Sequence, residues 1–123
     1  MSTPILIDEA VYYEVHDAVP TSALTIPLPE DSSALVQFQA VARRSSNGNT
    51  KSWNKIFSCK RASGDASIVG SLTNIIAPIG DLGALTWDIT IDTDGDELLV
   101  KCKGQASADT SWYVKLLGLT IED

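Results

Sequence analysis

A chain of 123 residues, 44% of them hydrophobic, has the length of one domain and is too apolar to be disordered. Its 9 basic and 16 acidic residues give a formal net charge of −7, which argues against non-specific nucleic-acid binding. No apolar run approaches the ~20 residues that cross a bilayer, and no basic-then-apolar leader opens the chain, so no membrane partner and synthesis in a cytoplasm are expected.

Residues 1–8 read as an N-terminal arm ahead of a single domain over 9–123. The arm's apolar Ile5, Leu6 and Ile7 have two readings: docked on a neighbouring subunit, or added as an edge strand to the chain's own sheet. Val11, Tyr13 and Val15 alternate with Tyr12, Glu14 and His16, the period of a half-buried strand. Leu24, Ile26 and Leu28 alternate with Thr25 and Pro27; Pro27 cannot donate a ladder hydrogen bond, which places this strand at a sheet edge. Val36, Phe38, Ala40 and Ala42 alternate with Gln37, Gln39, Val41 and Arg43, and the Asn47-Gly48 loop returns the chain into a strand over 53–60. The buried face of that strand is ambiguous, because Phe57 and Cys59 favour one side and Ile56 the other. A strand over 68–77 contains Gly70, which marks a bulge or a close backbone approach.

The last third carries the strongest pattern. Trp87, Ile89 and Ile91 alternate with Asp88, Thr90 and Asp92; Asp94-Gly95 makes a tight turn; Leu98, Val100 and Cys102 alternate on the return. A final strand over 112–121 is apolar on both faces through Val114, Leu116, Leu117 and Leu119, which predicts a central position. These three strands are expected to form the backbone of the core. About eight short strands with Gly, Pro, Asn and Asp turns, and no helical periodicity, predict an all-β, antiparallel, jelly-roll-like sandwich.

No reaction chemistry is legible. The one histidine, His16, falls on a polar strand face, and no Gly-x-Ser-x-Gly elbow exists for a serine nucleophile. Cys59 and Cys102 read as buried free thiols without clustered metal ligands. Around Asp92, Asp94 and Asp96 the chain imitates a calcium loop, but with Gly95 at the sixth position the twelfth is Lys101, where a bidentate glutamate belongs. No cofactor and no enzymatic activity are expected. Six basic residues, Arg43, Arg44, Lys51, Lys55, Lys60 and Arg61, occupy 43–61 without an acid, leaving three basic and all 16 acidic residues elsewhere. They read either as solvated strand charges or as a patch for an acidic surface, another copy included. Trp87 is expected in the core; Trp53 and Trp112, at strand starts, are read as packing residues with sugar stacking as the alternative.

The succession Thr25-Ile26-Pro27-Leu28, Val41-Ala42-Arg43-Arg44, Lys60-Arg61 with Gly64, Val69-Gly70-Ser71, Trp87-Asp88-Ile89, Gly104 and Trp112 resembles a β-rich module of tailed-bacteriophage structural proteins, of the kind found in tail fibres and spikes. The resemblance runs over about 17–120. It implies a virion component without enzymatic activity. Freestanding behind a short arm, the module looks like a capsid decoration, or cement, protein contacting major capsid protein or another virion protein. That analogy implies a homotrimer, with Ile5, Leu6, Ile7, Arg43, Arg44, Lys51 and Lys55 as interface candidates. The alternative implied by the same module is a tail adhesin for a cell-surface glycan.

Overall fold

Alternation of apolar and polar residues, broken by turns with left-handed glycines, lays the chain out as strands. The computed structural model describes residues 5–122, and side chains from residue 7. The strands are β1 (Ile5–Val15), β2 (Thr21–Pro27), β3 (Ser32–Arg44), β4 (Thr50–Arg61), β5 (Ala66–Gly80), β6 (Asp88–Asp94), β7 (Glu97–Lys103) and β8 (Thr110–Glu122). A short 3-10 turn, Leu82–Ala84, joins β5 to β6. Gly95, at φ 59°, closes the β6–β7 hairpin, and Gly48, at φ 75°, serves the β3–β4 loop.

The strands form an antiparallel sandwich of a five-stranded sheet, β1-β8-β3-β4-β5, and a three-stranded sheet, β2-β7-β6. The expected eight-stranded all-β sandwich is therefore what the chain adopts. The division is five plus three. β3, β4 and β5 form a meander, while the long-range closures of β1 and β3 on β8, and of β2 on β7, carry the chain between its ends. β2 with its Pro27 is an edge strand and β8 is central, as their sequences predict. The last three strands do not form one unit: β6 and β7 lie in the small sheet and β8 in the large one. Of the residues expected as an arm, Ile5 to Asp8 run on into β1, paired from Ile5 opposite Thr120 to Asp8 opposite Leu117, so this part is an edge strand of the chain's own sheet. Residues 1–4 lie outside the described residues.

The space between the sheets is filled by the inward residues of β3, β4 and β8 against those of β6 and β7: Val36, Phe38, Phe57, Ile89, Leu98, Val100, Val114 and Leu116 are all buried. Three tryptophans anchor this core. The Trp53 and Trp112 rings stack at 4.9 Å and 17°, and Trp87 lies tilted against Trp112 at 6.5 Å. Trp112 Nε1 donates to Thr110 Oγ1 (2.9 Å), whose hydroxyl donates to the Val15 carbonyl (3.1 Å), so this indole reaches a backbone acceptor through one hydroxyl. Trp87 precedes β6, held by its backbone N–H on the Ala84 carbonyl, and is nonetheless fully buried.

Gly118 lets β1, β8 and β3 close up. A Cβ placed there would stand 2.8 Å from the Leu35 carbonyl oxygen and 3.3 Å from Ile7 Cδ1. Gly70, at φ 75°, lies where pairing with β4 slips between Ile56 and Ser58, the expected bulge.

Candidate functional site

The inner face of the large sheet is covered by the small one. No described residue covers its outer face, and its composition is unlike that of an ordinary solvated sheet. The registers place side chains on this outer face in cross-strand rows: Tyr12, Tyr113, Val41, Ser52 and Ile79; then Ala10, Lys115, Gln39, Asn54 and Ile76; then Asp8, Leu117, Gln37, Ile56 and Thr73. In the following row Leu119, Leu35, Ser58 and Val69 stand side by side. Tyr12, Leu35, Val41, Val69, Tyr113, Leu117, Leu119 and Ile121 are all exposed. Exposed apolar residues are ordinary singly; gathered on one face they mark a surface that meets another molecule.

Two depressions shape the face. One, of about 320 Å³, is lined by Ile7, Asp8, Leu35, Gln37, Ile56, Leu117, Gly118 and Leu119. The other, of about 340 Å³, is lined by Gln39, Ala40, Val41, Ser52, Trp53, Asn54, Tyr113 and Lys115. Between them the amides of Gln37 and Asn54 bond each other at 3.0 Å, a polar belt across the apolar rows.

The candidates read from the sequence scatter over this frame. Ile7 is buried and lines the first depression; the side chains of Ile5 and Leu6 lie outside the described residues, their backbones in β1. Lys51 and Lys55 point to the inner side of β4. Lys51 Nζ donates to the carbonyls of Trp87 (2.7 Å) and Leu85 (3.2 Å), and its partial burial lowers its pKa. Lys55 Nζ sits 3.8 Å from the Asp88 carboxylate. These two charges are answered within the chain, because β4 presents them to the carbonyl-rich approach to β6. Arg61 is drawn inward likewise, its guanidinium donating to the carbonyls of Gly64 and Leu28. Arg43 is exposed and reaches the Gly48 carbonyl at 3.4 Å; Arg44 is half-buried, its Nε without a hydrogen-bond partner in the structure.

The sugar-stacking alternative for Trp53 and Trp112 is corrected by burial. Their exposures are 3% and 0%, and each ring is spent on the other. His16 is a surface residue, paired at 2.7 Å with Asp109, whose hydrogen bond and charge raise its pKa. The calcium-like sequence is the β6–β7 hairpin. Asp92 accepts from the Thr93 backbone N–H and from Lys101 Nζ (3.1 Å), and both lower its pKa. Among the described residues no group of three or more His, Cys, Asp or Glu side chains is placed to hold a metal ion. Burial pushes the Cys59 thiol up to about 11 and the Cys102 thiol up to about 12, far from a reactive thiolate. No helix among the described residues is long and apolar enough to cross a membrane.

Sequence reasoning missed the outer face as a whole. Its signal was present in the apolar residues on both sides of the final strand, read there as burial on both sides.

No family model matches the chain, and no curated protein matches it at a significant level. Among solved structures, the tailspike protein of Acinetobacter baumannii phage AM24 is similar at 14% sequence identity and a TM-score of 0.49; the match covers 94% of this chain and 26% of that one. The chain thus spans about a quarter of the tailspike chain's length.

Proposed function

We propose that this chain is a structural component of a bacteriophage virion, a capsid decoration protein that docks on capsid protein through the outer face of its large sheet and works as a trimer. The observation that carries this reading is the set of exposed Tyr12, Val41 and Tyr113 on a sheet face that no described residue covers. Such a face supports adhesion by many shallow contacts, with aromatic and aliphatic anchors at its centre. The order of motifs shared with phage structural modules supports the virion setting. Capsids assembled without the protein are expected to rupture at lower temperature than decorated ones, and re-addition of the purified chain should restore them. Equal thermal stability of bare and decorated capsids would refute the proposal. The paired substitution Val41→Asp and Tyr113→Asp should abolish decoration while leaving the fold intact by circular dichroism.

A tail adhesin for a cell-surface glycan is the second reading, and one observation favours it. Tyr12 and Tyr113 are exposed cross-strand partners beside the amides of Gln39 and Asn54, an arrangement on which a sugar ring can stack and bond. Inhibition of phage adsorption by the free protein would select this reading.

A further inference from the structure

The second half of β5 and the turn that follows it project apolar side chains away from the sandwich. Ile76 and Ile79 are exposed, and beyond them Leu82 and Leu85 are 85% and 69% exposed. Between Ala66 and Leu85 the one charged residue is Asp81, and its carboxylate accepts the Thr50 N–H at 2.9 Å. The turn is braced on all sides. Asp81 N–H donates to the Thr50 carbonyl (3.0 Å), Ala84 N–H to the Asp81 carbonyl (3.0 Å), and Lys51 Nζ to the carbonyls of Leu85 and Trp87. Gly83 lies so close to Asn49 that any side chain there would collide with its amide. Ala84 plugs the base of the turn, fully buried. Two leucines held in water on a fixed frame form a preorganised anchor, since little freedom remains to be lost when they are buried.

Strand addition at this edge is blocked. Pairing with β4 slips at three places along β5, Gly70 has positive φ, and Pro78 lacks an N–H. Association here must therefore use side chains. A receptor of matching size exists on the same molecule, the apolar groove of about 320 Å³ bounded by Leu35, Ile56, Leu117 and Leu119. Two leucine side chains hold eight carbons; at a water's share of ~30 Å³ for each heavy atom they need on the order of 240 Å³, which the groove accommodates. The charges agree as well: Asp8 lines the groove, and Lys103 lines the recess beside Leu82 and Leu85.

We infer that Leu82 and Leu85 of one copy insert into the Leu35–Leu117–Leu119 groove of a second copy. Knob and groove occupy different parts of the chain, so the contact is heterologous and closes into a ring when its rotation allows. It deepens the proposed function by naming the joint between copies: the groove end of the outer face meets the next copy, and the end with Tyr12, Val41 and Tyr113 is left for capsid protein; it rests on that reading only for the ring's use on a capsid.

Sedimentation and light scattering of the purified chain test this. The wild type should be oligomeric. Leu82→Asp with Leu85→Asp, and separately Leu117→Asp with Leu119→Asp, should each weaken association by about 10²–10³-fold, the scale of losing two buried anchors. All four residues are exposed, so both variants should keep the wild-type circular dichroism and melting temperature. Mixed one to one, the two variants should form dimers, because knob and groove each survive on one partner. A monomeric wild type at millimolar concentration overturns the inference, as does a mixture that stays monomeric. A monomeric wild type with a groove variant of lowered melting temperature would show the groove filled within one chain, against the inference. A monomer that still decorates capsids overturns the joint and the trimer and leaves capsid decoration standing; an oligomer that fails to decorate them does the reverse.

Discussion

Leu116 and Leu117 are successive residues of the same central strand. Leu116 is fully buried against the small sheet, and Leu117 is 49% exposed on the opposite side. The same division runs along β3, where Val36 and Phe38 are buried while Leu35 and Val41 are exposed. Three strands cover one side of five, and the other side has no cover within the described chain. The difference teaches that apolar content on this sheet exceeds what the sandwich consumes: the inner half makes the fold, and the outer half is available for a partner.

The sharpest way to break this comparison is to truncate each leucine. Leu116→Ala should cost about 2–5 kcal/mol, the range for emptying a core position, whereas Leu117→Ala should stay within about 0.5 kcal/mol in a dilute, monomeric sample. Urea unfolding of both variants checks it, and equal costs would mean that the outer face is covered in solution. Next in size, Gly118→Ala drives a methyl against the Leu35 carbonyl, a backbone atom that cannot swing aside, and should cost about 1–3 kcal/mol. The expected signature is a lower unfolding midpoint with unchanged denaturant slope.

Smaller again is Lys51→Met, which removes the ammonium from the Trp53 ring face and from the Leu85 and Trp87 carbonyls. A loss of about 1–2 kcal/mol is expected, with faster amide exchange confined to 82–87. Because this loop carries Leu82 and Leu85, the variant separates stiffness of the anchor from its chemistry. The smallest effect belongs to His16. Asp109 raises its pKa in the folded chain above the ordinary 6.5, so the pair adds stability that is fully present below the unfolded value and fades as pH rises through the folded one. A proton NMR titration should place His16 above 6.5, and Asp109→Asn should bring it back.

Much of the fold was legible because alternation is local. Pro27 at an edge, Gly70 at a bulge and Gly95 at a hairpin each follow from two or three neighbouring residues. Trp53 and Trp112 were ambiguous because they looked like strand starts. The strands begin earlier, at Thr50 and Thr110, so each ring falls inside its strand and under the opposite sheet. Lys51 was read as a surface charge because its partners, Leu85 and Trp87, are more than thirty residues away and no local pattern announces them. The apolar outer face was visible in Leu117 and Leu119 but was taken for burial, since strand pattern reports which residues share a side and not whether a second layer lies over it. Leu82 and Leu85 drew no reading of their own from the sequence, because their prominence comes from the bracing around them.

The order β1-β8-β3 carries a consequence for how the molecule comes into being. The eighth strand is wedged between two made long before it, bonded to β1 from Ile5 to Val15 and to β3 from Ser32 to Arg44. Until it arrives, both flanking strands wait with unpaired edges, and the Trp53 ring lacks the Trp112 face it stacks on. This sheet therefore closes only once β8 has been made, at the pace of long-range strand pairing. A chain cut short by its final dozen residues is left with an open seam through the middle of its main sheet.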